Sequence, residues 1–366
     1  MTTFRNNKNK KILKRVLVIL STILVVLITL LFFAGNYFFN YALSRNGGGA
    51  KRNVKVENKS DTALNNKSEL ELISINKQKI AKDLENANLN NTEISLENNE
   101  GLTLIAELYK SEDNSFLSLD KSENSKSSSS NASNNDSKNT NRLQSDKTYV
   151  ILLHGYHSSV DTMHKYALHY LGKGYNVLIP HMRAHGKSEG KYIGMGSKDR
   201  DDVISWINKV GELDDQANII IHGVSMGAST AMNVSALNPA SVKLIIEDCG
   251  YTSIYDIFAS ELDKRFSLPA FPLLDICELI TKLRAGYDFH NTNPINSLSQ
   301  TKLPILFIHG LEDDFVPYDM MEQNYNACSS EIKEKLAIPY AGHADAIYAD
   351  PDLYWNSIDA FIDKVS

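Results

Sequence analysis

The chain has 366 residues, 42% of them hydrophobic, and a formal net charge of -6 at pH 7. That length supports one large core or two modest ones, and the acidic balance gives no reason to expect nucleic acid as a partner. The three cysteines, Cys249, Cys277 and Cys328, have neither pairing nor metal-ligand spacing, which argues against a disulfide framework or a zinc site.

The first legible element is the run "VLVILSTILVVLITLLFFA" over residues 16–34, which has no charge and only Ser21, Thr22 and Thr29 as polar interruptions. At about 1.5 Å per residue it reaches roughly the 30 Å of a bilayer core, so one N-terminal transmembrane helix is expected, with an anchor over residues 16–41. Arg5, Lys8, Lys10, Lys11, Lys14 and Arg15 precede it with no acid among them. The positive-inside rule therefore assigns residues 1–15 to the cytoplasm and the rest of the chain to the other side of the cell membrane, against the weaker pull of Arg45, Lys51 and Arg52. Tyr37, Phe38, Phe39 and Tyr41 stand where an interfacial aromatic belt belongs. A cleaved signal peptide is the competing reading. The apolar run exceeds the usual signal core, and the small-x-small option at Ala42–Ser44 lies well beyond its end, so a retained anchor is favoured.

Residues 42–91 read as a polar stalk, opened by "GGG" and holding one short helix over residues 73–84. A folded domain is then expected over residues 92–366. It opens with two alternating apolar runs around "ENNEG", a hairpin signal. Residues 111–146 collapse into Ser, Asn, Lys and Asp, too poor in apolar groups to offset the entropy of ordering, and read as a disordered insertion.

From Lys147 onward "YVILLH", "NVLIP", "NIIIHG", "VKLIIED" and "PILFIHG" recur with helix-length stretches between them. Each is short and apolar on both faces, as buried parallel strands are, so the fold class is α/β with a doubly wound, mostly parallel sheet. Ligands of such sheets bind beyond the carboxyl ends of the strands, and the chemistry-bearing motifs sit there. "LLHGYHSS" ends the first of these strands. Its Tyr156 backbone N–H, with that of Met226, is the candidate oxyanion hole, while His154 reads as a structural hydrogen-bonder.

"IIIHGVSMGAST" runs a strand into Gly-x-Ser-x-Gly and then a helix, the context of a nucleophile elbow with Ser225 at its apex. A serine hydroxyl needs a neighbouring base and an orienting carboxylate. "LEDDFVP" offers Asp313 just past a strand end and "YAGHADA" offers His343 about thirty residues later, in the order serine, acid, histidine. Glu312, Asp314 and Asp248 are the alternatives for the acid. Asp350 and Pro351 read as the cap and first turn of the last helix. Residues 251–299 interrupt the strand rhythm with two helix-like stretches around Pro269 and Pro272, expected to form a small helical lid. Its aromatic and aliphatic content suits either an apolar pocket wall or the lid's own core.

Taken together, "HGYHSS", "PHMRAHGKSEGKYIGMG", "HGVSMGAST", "EDCGYTS", "FIHGLEDDFVP" and "GHADA" make residues 148–366 resemble the serine α/β-hydrolases, in particular their bacterial membrane-anchored, cell-surface hydrolase branch. The resemblance implies an α/β-hydrolase fold with Ser225 as nucleophile, His343 as base, Asp313 as its partner, and Tyr156 and Met226 at the oxyanion hole. It also implies a loop bordering the pocket, with Arg183, His185, Gly186 and Ser188, read here as mainly structural. The expected activity is two-step acyl transfer on a small-molecule ester or peptide, without metal or organic cofactor. A carboxylesterase is favoured over a prolyl-oligopeptidase-like peptidase, and over a surface binding module that keeps the fold without catalysis. The Ser/Asn-rich insertion departs from the compact pattern of these proteins.

Overall fold

A computed structural model describes residues 2–47, 67–114 and 143–366. The elements in chain order are α1 (Thr2–Leu43), α2 (Lys67–Asn86), β1 (Thr92–Glu97), β2 (Thr103–Tyr109), β3 (Thr148–Leu153), α3 (His164–Gly172), β4 (Asn176–Pro180), α4 (Ser197–Leu213), β5 (Asn218–Val224) and α5 (Met226–Ser235). There follow β6 (Val242–Asp248), α6 (Ile254–Phe266), α7 (Leu273–Arg284), α8 (Pro294–Leu298), β7 (Ile305–Gly310), α9 (Tyr318–Ala327), β8 (Lys333–Ile338), α10 (Ala346–Ala349) and α11 (Pro351–Val365).

The eight strands form one sheet in the order β1-β2-β4-β3-β5-β6-β7-β8. β1 and β2 form the antiparallel hairpin expected around "ENNEG", closed by Asn98, whose side-chain oxygen accepts from the Glu100 and Leu102 amides. β2 joins β4 antiparallel, and the remaining neighbours are parallel. Alternation along each strand feeds two cores. Tyr149, Ile151, Leu153, Ile219 and Ile221 face the layer of α4, α5 and α9, whereas Val150, Leu152 and Ile220 face α3 and α11. Strands covered on both faces need continuous apolar runs, which is why "YVILL" and "NIIIHGV" show no polar alternation.

α1 is the one helix among the described residues long and apolar enough to cross a membrane, and it could serve as an anchor. The hydroxyls of the apolar run over residues 16–34 are spent within the helix: Ser21 and Thr22 donate to the Val18 carbonyl and Thr29 to that of Val25, so no polar side chain of that run demands water. The helix does not stop at the end of the apolar run. It continues unbroken to Leu43, and residues 35–43 dock on the domain through α7. Gly35 permits that approach, since a Cβ there would lie 2.6 Å from a methyl of Ile276. The aromatic residues expected as an interfacial belt therefore divide: Tyr37 stays exposed, whereas Phe39 is 1% exposed against Tyr192.

The stalk expectation needs a second correction. Within residues 42–91 the helix α2 is longer than residues 73–84 and packs on α3 and α10 through Ile73 and Ile80, with Asn76 donating to the Tyr348 carbonyl at 2.9 Å and Lys77 paired with Asp345 at 2.8 Å. A domain cut near residue 91 would lose this helix along with α1. Of the insertion expected over residues 111–146, residues 115–142 lie outside the described residues. Its two ends do fold: Asn114 is fully buried and accepts from the Asn90 amide, and a short 3-10 turn at Ser145–Lys147 leads into β3.

The lid expectation corresponds to α6, α7 and α8, inserted between β6 and β7. Ser253 caps α6 by accepting from the Asp256 amide, and Asn293 caps α8 by accepting from that of Asn296.

β6 ends in a buried carboxyl pair. Burial pushes the Glu247 carboxyl up to about 8 against the opposing pull of His309, and its one hydrogen bond comes from the Gly250 amide. Since the unfolded chain would ionise this group near 4.5, the fold holds an extra proton between that value and about 8, and stability falls as pH rises across the window. Glu247→Gln keeps the Gly250 acceptor and removes the ionisation. Its melting temperature should exceed that of the parent at pH 8 and change less between pH 5 and 8; a parallel pair of pH–Tm curves would contradict this account.

Candidate active site

The β5–α5 turn is forced into a tight crossing. A Cβ on Gly223 would stand 2.2 Å from the Gly227 carbonyl oxygen, and one on Gly227 would stand 2.0 Å from the Leu153 carbonyl oxygen of β3. Only glycine fits at both points, and the residue between them is bent accordingly. Ser225 has φ 57° and ψ -117°, a strained conformation for a residue with a side chain. Its amide donates to the Asp248 carbonyl at 2.8 Å, which pins the turn to the end of β6.

The strain lifts the Ser225 hydroxyl to the histidine. Ser225 Oγ lies 2.9 Å from His343 Nε2, and His343 Nδ1 lies 2.7 Å from Asp313 Oδ2. The second oxygen of Asp313 accepts from the Phe315 and Val316 amides, both at 2.9 Å, so the carboxylate is held from two sides. Burial alone would raise its pKa, but hydrogen bonds from His309 and His343 and their charges hold it well below the usual carboxylate range. The structure thus brings the sequence-derived Ser225, Asp313 and His343 into one hydrogen-bonded chain.

The three alternative acids lie elsewhere. Glu312 and Asp314 are exposed, and Asp248 accepts from Tyr354 at 2.9 Å within a buried network that continues to His222 and Tyr170.

The Gly155 turn lies directly over the serine, a Cβ on Gly155 falling 3.3 Å from Ser225 Cβ. Neither the Tyr156 nor the Met226 amide is among the backbone hydrogen bonds that the described turns and loops make. His154 is fully buried, its Nδ1 facing the Gly155 carbonyl and its Nε2 accepting from the Met182 amide, and burial pushes it down to about 3. The loop at residues 183–190 is tied into the frame. Arg183 makes a two-pronged contact with Asp202 at 2.6 and 2.8 Å, Ser188 donates to the His181 carbonyl, and His185 Nε2 accepts from the His157 amide next to the Tyr156 turn.

Two neighbours of the site escaped the sequence reading. His309, the histidine of "FIHG", lies with Nε2 2.9 Å from the Val316 carbonyl and 3.4 Å from Asp313. Its position at a strand end next to the acid loop was the available signal. Cys249, with φ 55° beyond β6, has its sulfur within 4.8 Å of ligand atoms of Asp313 and His343, the set among the described residues that could share a metal ion. Those histidine and carboxylate atoms are already engaged with each other.

Ser225 stands between two spaces of different character. On one side lies a cavity walled mainly by aromatic and aliphatic groups, among them Phe39, Leu43, Ile257, Leu262 and Phe289, with the paired Arg265 and Glu261 also in its lining. On the other a groove runs past Tyr156, Ser158, Thr162, Lys165 and His343. Phe315, whose ring centroid is 4.8 Å from that of His343, borders both.

Comparison with known proteins yields consistent neighbours. The family described as serine aminopeptidase, S33, matches residues 144–255. The Bacillus subtilis protein YqkD is 30% identical over 220 residues, 59% of this chain and 72% of its own. A Saccharomyces cerevisiae protein, described as the membrane protein YNL320W, is 27% identical over 52% of this chain and 61% of its own. Among solved structures, the Pyrococcus furiosus esterase Pf2001 superposes with a TM-score of 0.55 at 21% identity, over 77% of this chain and 92% of that one, a likeness of fold.

The strain at Ser225 makes a stability prediction independent of activity. Both Ser225→Gly and Ser225→Ala lose the hydroxyl, but only glycine relaxes at φ 57°. The glycine variant should be the more stable by about 1 kcal/mol, read as a Tm higher by roughly 2–4 °C. Equal melting temperatures would mean that the turn carries no such strain.

Proposed function

The chain belongs to the α/β-hydrolase superfamily, and from that premise we propose that it is a serine hydrolase cleaving carboxylic esters through Ser225, His343 and Asp313. The observation that carries the reading is the hydrogen-bonded chain from Asp313 Oδ2 to Ser225 Oγ, ending between an apolar cavity and a more polar groove. Ser225 Oγ attacks the ester carbonyl as His343 Nε2 takes its proton, and Asp313 orients the ring and stabilises the imidazolium that forms. The oxyanion is received by the Tyr156 and Met226 amides. Loss of one such donor costs on the order of 3 kcal/mol. His343 then passes the proton to the leaving alcohol and activates water against the acyl-enzyme.

A peptidase is the second reading, favoured by the description of the matching family. Against it, the groove side of Ser225 carries Lys165 and Arg265 and, among its lining residues, no carboxylate to receive a free amino terminus, while Glu261, in the lining of the cavity on the other side, is paired with Arg265 at 2.6 Å. Turnover of p-nitrophenyl esters with none of amino-acyl p-nitroanilides would decide for the esterase. A non-catalytic binding module would require the intact chain of three residues to have no use.

We also propose that the anchor is retained and that the hydrolase domain lies outside the cytoplasm. Cleavage at residues 42–44 would strip Phe39 and Leu43, each 1% exposed, from the core. With the basic tail held inside, protease added to intact cells should remove a tag placed after Ser366. A tag cut only after lysis would reverse the orientation.

Ser225→Ala should abolish ester hydrolysis and labelling by a fluorophosphonate, with the fold intact; residual turnover above one thousandth of the parent would exclude Ser225 as the nucleophile. Asp313, held below the usual carboxylate range, keeps its negative charge beside the His343 ring.

A further inference from the structure

The cavity beside Ser225 is built in part from the anchor. Phe38, Phe39, Tyr41, Ala42 and Leu43, all from the last turns of α1, line it together with α6 and α7 of the lid. These turns are fixed from several directions. The Tyr156 hydroxyl donates to the Ala42 carbonyl at 2.5 Å, the Ile193 amide donates to the Leu43 carbonyl at 2.8 Å, and Cys277 Sγ lies 3.4 Å from the Gly35 carbonyl. Arg45, just past the helix, donates to the Gly186 and Ser188 carbonyls of the loop beside the oxyanion turn.

The lid also carries exposed apolar residues. Phe271 is 73% exposed and Leu283 76%, with Phe266, Leu268 and Leu279 also exposed. Phe266 touches the helix through Phe38, at 5.0 Å between ring centroids. At 1.5 Å per residue, Phe38 stands about 6 Å beyond the last residue of the uninterrupted apolar run, at the depth of the lipid headgroups. An exposed apolar tip on water would be an aggregation liability, whereas at this depth it meets the headgroup–acyl boundary.

We infer that the end of the anchor helix is a wall of the acyl-binding site, and that the substrate is a long-chain acyl ester drawn from the bilayer in which the protein is anchored. This rests on the ester hydrolase reading above. The acyl chain leaves the membrane along the seam between α1 and the lid, its carbonyl reaches Ser225, and the polar alcohol part lies in the groove beside Lys165. The step balances as a hydrolysis: the ester C–O bond breaks, the alcohol leaves with the serine proton through His343, and water releases the fatty acid from Ser225. Residues 38–43 then set the chain length accepted.

The test uses the full-length protein in phosphatidylcholine vesicles and a long-chain alkyl fluorophosphonate carrying a diazirine at the end of its tail. Phosphonylation at Ser225 followed by irradiation should crosslink the tail to peptides containing residues 38–43 or 257–277. Crosslinks confined to residues 158–166 would overturn the inference while leaving the hydrolase reading in force; no phosphonylation at Ser225 would overturn both. In the same vesicles, Ala42→Leu, which puts a larger side chain into the cavity, should raise the ratio of kcat/KM for p-nitrophenyl butyrate over palmitate at least tenfold, and Ala42→Gly should not. An unchanged ratio in a folded Ala42→Leu would mean that the helix does not wall the acyl site.

Discussion

The crossing of the β5–α5 turn over β3 is the constraint on which the site depends. Gly223 and Gly227 let the backbones approach to distances no Cβ could survive, and the strained Ser225 between them is the consequence. Strain of this kind persists only where the surroundings over-determine it. Here the sheet supplies the determination, through the Ser225 amide bound to the end of β6 and the β3 carbonyl pressed against Gly227. Because β3, β5, β6 and β7 are parallel, their carboxyl ends coincide, and the loops carrying Tyr156, Cys249 and Asp313 converge on one point without further arrangement.

Polar groups near that point divide into those that hold the frame and those left available. His154, His185, Arg183, Asp202 and Asp248 are buried and engaged with carbonyls, amides or one another, so they rigidify the loops. His343 is the exception, the partly exposed member whose ring joins the buried carboxylate to the serine. Rigid support around one group able to exchange a proton is what general base chemistry asks of a fold.

Much of this was legible in the sequence because it is local. The alternation-free apolar runs follow from burial on both faces, the hairpin from "ENNEG", and the serine turn from two glycines flanking a small polar residue. Asp313 was favoured in the sequence by its place just past a strand end and by the resemblance, but composition alone left Glu312 and Asp314 open, since neighbouring acids on one loop differ in direction; burial and the Phe315 and Val316 amides distinguish it. The docking of α1 and α2 was not legible for a different reason. Residues 35–43 carry an aromatic pattern that serves equally at a membrane interface or against a protein surface, and the polar face of α2 hides the few apolar contacts that bind it. Tertiary packing chose between readings that the local pattern left equal, and it made the end of α1 part of the domain.

In the proposed reaction Ser225 carries the acyl group from attack on the ester to release by water. Acid-quenched mass spectrometry of the full-length protein during turnover of a p-nitrophenyl ester reads that intermediate. The expected result is a mass increase equal to the acyl group, localised to the peptide containing Ser225. Steady turnover with no adduct in burst-phase samples, or an adduct on another residue such as Cys249, would contradict it.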